Sequence, residues 1–330
     1  MAMRNYIVFL LVFMAIGCSD GTDNLSLPVE PVEFYTGFGA MATRATTPTT
    51  LDNLWTENDE LAIAEVASPA NIVKKYKAST TSTVSGGSVR MIPAGTVSPF
   101  FWPAEQGDKV FRGWYPYSDS QPSSVSVTSD QSSGNYKSYD IMYAPDVPVV
   151  YKQPASLIFY HQACRIVVNV NSVNTNNIVT SISMGSSNIA LTKAITTLGA
   201  TGEGVTSGAT VWGSLSDTGN TITMCKNTEN SNDAAHYASY ECIVPPQSGG
   251  NIETPLFTIT AQRTNSQNTL ITKTYKYYDE FDFKPGYQYN YNFSLSTTGG
   301  VLVATVTVNN WGAVSIQNGE ADVPDDVHDN

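Results

Sequence analysis

The chain has 330 residues, enough for about two domains of ordinary size, and its content of 41% hydrophobic and 11% aromatic residues excludes a disordered chain. The formal charge of −12 and the lack of any basic run argue against nucleic acid as a partner, because phosphate binding requires clustered Lys and Arg. Only 14% of the residues are charged, and the polarity comes from Ser, Thr, Asn and Gln. This composition predicts an all-β fold with little helix.

Residues 1–18 have the pattern of a bacterial secretion signal. Arg4 supplies the positive charge, residues 6–16 are apolar, and Cys18 follows shortly after them. A transmembrane helix needs about 20 apolar residues, so the shorter run favours a signal peptide. Small residues before a cysteine resemble the lipoprotein cleavage motif, although Ala15 stands where Leu is usual. The resemblance implies that Cys18 becomes the acylated N-terminus and that its acyl chains anchor the protein to a membrane.

A polar linker and a predicted strand follow in residues 19–44. Val32, Phe34, Thr36 and Phe38 fall on one face of this strand, an alternation typical of a half-buried element, and Val32, Phe34 and Phe38 are its apolar members. Arg44 lies just beyond it in a Thr-rich stretch where a protease would find access.

The body of the chain divides into two predicted domains, 45–154 and 155–315, with an acidic tail at 316–330. Short apolar runs separated by Gly, Pro and Ser clusters are typical of β-sandwiches. In the first domain the predicted strands are 60–66, 89–92, 109–114 and 139–143. The Ser-rich stretch 118–138 has no readable motif, and we predict a mobile loop there.

The second predicted domain opens with a long apolar run, 157–170. This run predicts one central strand whose phase is kept by a bulge near Gln162. Further strands are predicted at 221–225, 240–244, 256–262, 270–278 and 287–295. The last predicted strand is 301–308, whose alternate residues form one uncharged apolar face: Leu302, Ala304, Val306 and Val308.

No residue pattern indicates catalysis, a cofactor or a bound metal. His161 could act as a base near neutral pH, but no nucleophile motif accompanies it and its strand is core-like, so we interpret it as structural. The adjacent Asp279 and Glu280 would point to opposite faces of a strand and so could not share a substrate. Metal-binding Cys or His spacings are missing from the sequence. We therefore predict a protein that is not an enzyme.

Two residue types leave alternatives open. Cys225 and Cys242 could pair as a disulfide or remain free thiols, as we expect for Cys164. The tryptophans could form an exposed platform that stacks on sugars, or they could pack in the core. They are Trp55, Trp102, Trp114, Trp212 and Trp311.

Segments spread over nearly the whole chain resemble the fimbrillin-like proteins of Bacteroidetes, which include stalk and tip subunits of surface pili. The first of these segments is Cys18. The second is 43–46, which is followed by Trp55 and by 61–63. The others are 111–116, 157–161, 243–247, 283–289 and a final strand that ends at 310–311.

The resemblance implies two tandem transthyretin-like Greek-key β-sandwich domains in a pilus subunit of the outer membrane and cell surface. It also implies cleavage between Arg44 and Ala45, which would release the first strand. The C-terminal strand of an incoming subunit, residues 301–311, would then fill the vacated groove. The expected partners are thus other pilus subunits and, through the lipid anchor, the outer membrane, with a host or bacterial surface ligand as a further partner.

Two alternatives remain at this stage. Residues 301–308 could simply pair within their own domain, since alternation alone does not distinguish the two arrangements. The chain could also be a surface lipoprotein that does not polymerise and that binds glycan or another adhesion ligand through exposed loops and aromatic residues.

Overall fold

The all-β prediction is confirmed. Within the described residues of the computed structural model, strands are joined by turns and by two short 3-10 helices, Asn135–Tyr139 and Asp233–Ala235. No helix in this part of the chain is long and apolar enough to cross a bilayer. The structure describes residues 30–38, 54–67, 70–81, 87–173, 176–199, 209–295 and 302–311.

Nineteen strands follow one another in the described residues. They are β1 (Phe34–Phe38), β2 (Glu60–Glu65), β3 (Ile72–Ala78), β4 (Val89–Pro93), β5 (Lys109–Tyr115), β6 (Ser124–Ser126), β7 (Met142–Val149), β8 (Ala155–His161), β9 (Cys164–Asn171), β10 (Ile178–Ile189), β11 (Thr192–Thr197), β12 (Val211–Ser216), β13 (Asn220–Thr223), β14 (Cys225–Lys226), β15 (Tyr237–Val244), β16 (Gln247–Thr264), β17 (Leu270–Phe283), β18 (Tyr287–Leu295) and β19 (Leu302–Asn310).

The first half of the molecule is a closed barrel of seven strands in the order β1-β4-β3-β2-β5-β7-β8. Strand β1 closes it by pairing antiparallel with β4 and parallel with β8. The interior is rich in aromatic residues, with Phe34, Phe111 and Phe159 fully buried in one core. Closure removes the free sheet edges, so the barrel depends on β1 for its last two ladders.

The second half is a sandwich. One sheet has the order β13-β10-β16-β17, and the other has the order β14-β15-β9-β18-β19. Both sheets contribute to a single core, for example Ile166 and Val168 from β9 and Phe257 and Ile259 from β16. The layered arrangement fits the sandwich prediction for this half, while the transthyretin-like assignment of both domains stays a prediction.

The chain passes between the two halves just after β8. Strand β8 pairs with β1 and β7 of the barrel, whereas β9 pairs with β15 and β18 of the sandwich. The boundary placed at 154/155 therefore moves to the short link between His161 and Cys164. The predicted bulge near Gln162 is this crossover, because leaving one sheet for another changes the phase of the inward residues just as a bulge would.

The Ser-rich stretch is not a free loop, which corrects the prediction for 118–138. Strand β6 joins a three-stranded sheet with β11 and β12, and Val125 and Val127 are buried in the core of the sandwich. The Gln131 side chain accepts a hydrogen bond from the Ile243 N–H at 3.0 Å and donates one to the Ile243 carbonyl at 2.8 Å. Residues 123–141, which we call the strap, thus leave the barrel, cross the sandwich and return to β7.

Candidate functional site

Strand β1 is held on both sides by main-chain pairing. The barrel partners continue beyond the strand itself, since the Val32 N–H donates to the Phe100 carbonyl and the Ala155 N–H donates to the Glu33 carbonyl, both at 2.8 Å. Removal of this element would leave two rows of unpaired backbone groups, one on β4 and one on β8, which is the template that an added strand recognises.

The inward face of this segment is almost completely buried. Val32 is 4% exposed, Phe34 and Thr36 are fully buried, and Phe38 is 8% exposed. All four residues predicted to share one face of this strand are therefore buried together, and they include the three predicted to fill the groove. Each buried apolar side chain of this size contributes about 1.5–3 kcal/mol, so the strand is firmly seated while it remains attached.

Phe34 sits in an aromatic cage. Its ring centroid lies 4.9 Å from that of Phe111, 5.1 Å from that of Tyr76 and 6.0 Å from that of Phe100, all in edge-on geometry. Burial raises the pKa of Tyr76 to about 12, and its hydroxyl accepts a hydrogen bond from the Phe100 N–H at 3.0 Å. The cage is therefore uncharged at neutral pH and fits an apolar ring.

Phe38 lies at the other end of the strand, near the junction with the sandwich. It stacks on Trp55 at 4.7 Å and more loosely on His161 at 6.3 Å. His161 in turn stacks on Trp311 at 4.1 Å, with the two rings nearly parallel, and its Nδ1 lies 2.8 Å from Asp140. The interpretation of His161 as a packed, hydrogen-bonded side chain agrees with this position.

Two ion pairs flank the start of the strand on the outside of the barrel. Glu33 pairs with Arg90 of β4 at 2.8 Å, and Glu30 pairs with Lys152 at 3.2 Å. The four side chains are about half exposed, so each pair is worth little in stability. The alternation of residues in the sequence predicted the buried face of this strand, but it did not predict these two ion pairs.

The predicted donor strand lies elsewhere in the molecule. Strand β19 is at the edge of the five-stranded sheet and pairs antiparallel with β18 over its whole length, so the alternative of pairing within its own domain describes this arrangement. Val306 and Val308 are partly buried against the core of the sandwich. Leu302 and Ala304 occupy register positions opposite Leu295 and Phe293, and their side chains lie outside the described part.

The processing residues cannot be placed in the same way. Cys18, Arg44 and Ala45 lie outside the described residues, as does the acidic tail at 316–330. The structure therefore puts Val32, Phe34 and Phe38 in the barrel, puts β19 on the sandwich, and leaves the lipidation and cleavage positions as predictions.

The other candidate residues have structural environments. Asp279 accepts a hydrogen bond from the Tyr277 hydroxyl at 2.8 Å, and Asp282 accepts one from Ser248 at 2.8 Å. No cluster of His, Cys, Asp or Glu able to hold a metal ion occurs among the described residues. Four of the tryptophans have at most 3% of their surface exposed, which leaves little basis for a sugar platform; they are Trp55, Trp102, Trp114 and Trp311.

The disulfide alternative is excluded by the register of the strands. Cys225 lies opposite Glu241, the neighbour of Cys242, so the two cysteines point to opposite faces of the sheet. All three described cysteines are free thiols, and the Sγ of Cys242 contacts the Sδ of Met184 at 3.8 Å. Burial raises the pKa of the Cys164, Cys225 and Cys242 thiols, which lowers their reactivity.

A buried ion pair was not anticipated from the sequence. Glu241 Oε2 lies 2.8 Å from Arg165 Nη2, and the side chains are at most 3% exposed. Burial acts to raise the pKa of the Glu241 carboxyl, but the Arg165 guanidinium and hydrogen bonds from Asn227 and Tyr136 outweigh it and hold the pKa below its usual value. Arg165 lies in β9, Glu241 lies in β15 and Tyr136 lies in the strap. The ion pair and its hydrogen bonds therefore hold these three elements together.

These features define an all-β protein whose leading strand completes a barrel and whose last strand forms a sheet edge. The model of the fimbrillin-like family matches residues 43–311, and the chain belongs to that family. The match begins after β1 and ends at Trp311, the residue that follows β19.

Solved structures with the same fold come from species of Bacteroides. A protein of Bacteroides uniformis assigned to cell adhesion aligns with a TM-score of 0.56 and 17% identity, over 85% of this chain and 98% of that one. A protein of Bacteroides ovatus with the same assignment gives 0.55 and 16%, over 86% and 98%. No curated protein sequence matches this chain. At these identities the likeness supports the fold.

Proposed function

We propose that this chain is a structural subunit of a surface pilus, or fimbrium, that supports adhesion and is assembled by strand exchange after proteolysis. The observation that carries the proposal is β1, a deeply buried strand joined to the rest of the barrel through the segment that contains Arg44. Membership of the fimbrillin-like family and the fold shared with adhesion proteins support it.

The proposed sequence of events begins at the membrane. The signal peptide directs secretion, and acylation of Cys18 holds the precursor on the outer membrane, where several acyl chains together give durable binding. A protease then cuts between Arg44 and Ala45. The cut leaves β1 attached only by non-covalent contacts, so that it can be exchanged for another strand.

The strand that a subunit donates is proposed to be β19. Among the described strands it is an edge strand that pairs only with β18, so its release breaks one ladder, whereas the release of β1 breaks two. Its alternate residues Leu302, Ala304, Val306 and Val308 are apolar and uncharged, which suits insertion into a groove on a neighbouring subunit.

The proposal is tested by capture of a strand. The precursor is incubated with an Arg-specific protease in the presence of a fluorescent peptide of residues 30–38, and the protein fraction is separated by size. We expect the cut chain to take up the peptide in place of its own β1, and the uncut chain to take up none. An Arg44→Ala variant is the matched control and should stay inert. A cut chain that captures no strand would contradict the proposal.

The anchor is tested separately. Metabolic labelling with a fatty acid should mark the precursor, and a Cys18→Ala variant should lose the label and leave the membrane fraction. Label that persists on the variant would contradict the assignment of Cys18.

A further inference from the structure

The site of Phe34 is shaped for a large ring. The side chain is fully buried and is surrounded edge-on by three aromatic rings at centroid distances of 4.9–6.0 Å. Those rings belong to different elements: Tyr76 to β3, Phe111 to β5, and Phe100 to the segment that follows β4. A smaller side chain would leave a void that a close-packed core fills only in part.

Four residues further along the strand, the site of Phe38 is also lined by rings and fits an aromatic side chain. Trp55 stacks on it at 4.7 Å and His161 stacks on it more loosely at 6.3 Å, so two rings contact the site. Thr36, between the two, is fully buried. The groove under β1 therefore contains two aromatic sites separated by four residues, with a small site between them.

Strand β19 of a second copy cannot fill both aromatic sites. Side chains four residues apart share a face of a strand, and Trp311 is the single aromatic residue in 301–311. In either direction and in any regular register, at least one aromatic site would receive Ala, Val, Leu, Thr or Asn. The register with the largest aliphatic pair places Leu302 and Val306 in the two sites.

The charged side chains beside the start of β1 also argue against β19 as the incoming strand. Arg90 and Lys152 are paired with Glu33 and Glu30 while β1 is in place, and both lose their partners when it leaves. Residues 301–311 contain no carboxylate. An incoming strand that carries acidic side chains at this end would restore the two ion pairs, and β19 would not.

We propose that the groove vacated by β1 accepts a strand from a different subunit and discriminates against β19 of a second copy. The strand it fits has two aromatic side chains four residues apart and carboxylates at the end next to Arg90 and Lys152. The inference rests on the proposed function, and it assigns this chain to a mixed polymer in which neighbours on either side differ from it.

The test compares peptides on the same cut chain. The affinities of three labelled peptides are measured by competition after cleavage at Arg44: residues 30–38, residues 302–311, and residues 302–311 with Ala304→Phe and Val308→Phe. We expect the native 302–311 peptide to bind about a hundredfold or more weakly than 30–38. The two added rings should recover most of that difference, because they restore both aromatic contacts in either strand direction.

The outcomes are distinct. A native 302–311 peptide that binds as tightly as 30–38, or a cut chain that polymerises with itself through β19, would overturn the inference and leave the proposed function standing. A cut chain that binds none of the peptides, 30–38 included, would contradict the proposed function and the inference with it.

The charges are tested in a second arm. An Arg90→Gln, Lys152→Gln double variant should bind 30–38 about threefold more weakly and with less dependence on salt, since exposed ion pairs are weak and screened. Its affinity for the uncharged 302–311 peptide should not change, which provides the internal control. Unchanged affinity for 30–38 would overturn the assignment of carboxylates to the incoming strand.

Discussion

At the scale of single residues, the buried pair of Arg165 and Glu241 makes the stability of the fold depend on pH. In the folded state the pKa of the Glu241 carboxyl lies below its value in the unfolded chain, which is about 4.3. The folded state therefore binds fewer protons than the unfolded state as the pH falls. The contribution of Glu241 to stability is complete above the unfolded value and is lost as the pH drops through the folded value.

We predict that Glu241→Gln lowers the free energy of unfolding by about 3–5 kcal/mol at neutral pH, because the Arg165 charge is left buried without its partner. The variant should also lose less stability than the parent on acidification below about pH 5. Urea denaturation at a series of pH values measures both effects. Glu253→Gln, at an exposed position, is the matched control. Parallel acid profiles for parent and Glu241→Gln would contradict the account.

A second prediction at this scale concerns Gln131. Its side-chain amide takes the place of a neighbouring strand by pairing with both backbone groups of Ile243. Gln131→Ala leaves those groups buried without these bonds, and we expect a loss of about 2 kcal/mol in the free energy of unfolding. Gln153→Ala, at an exposed position, should change it little. Equal effects of the two substitutions in urea denaturation would show that the strap is not held in this way.

At the scale of elements, β1 and β19 differ in how they are held. Strand β1 lies between two neighbours with its inward face buried, whereas β19 has one neighbour among the described strands, and its Val306 and Val308 are only partly buried. Local opening follows such differences in pairing and burial. The precursor is thus built with a firmly seated first strand and a more easily opened last strand.

We predict that amide protons of β19 in the intact precursor exchange with solvent faster than those of β9, the central strand of the same sheet. Hydrogen exchange read out by mass spectrometry compares the two strands within one sample. Residues 302–310 that are as well protected as residues 164–171 would contradict the proposal that β19 is ready to be donated.

The elements also show what the sequence could predict. Alternation predicted β1 and β19, and short apolar runs between turn residues predicted β2, β4, β5, β15 and β18. Strand β3 was missed because Lys74 and Lys75 interrupt its alternation, although both side chains are only partly exposed. The strap was wrongly predicted to be a mobile loop, although Val125 and Val127 alternate with polar residues within it. The crossover at Gln162 and the sheet partners of β8 depend on long-range pairing, which no local pattern specifies.

At the scale of the whole molecule, the barrel and the sandwich are joined by more than one connection. The strap leaves the barrel and packs into the core of the sandwich, and at the junction His161 of β8 stacks on Trp311, which follows β19. Alternation predicted a shared buried face for Val32, Phe34 and Phe38, and all three are buried. The aromatic cage of Phe34, the two flanking ion pairs and this junction emerge only from the fold. Loss of β1 should therefore open the barrel and leave the sandwich, with its own core, in place.

The most direct test of this account is hydrogen exchange on the precursor before and after cleavage at Arg44, with the released β1 dissociated in mild denaturant and removed by size exclusion. The account predicts that β4 and β8 lose protection, that β9 and β15 keep theirs, and that added peptide 30–38 restores the barrel. Unchanged protection of β4 and β8 after β1 has left would contradict the claim that a removable strand completes this fold.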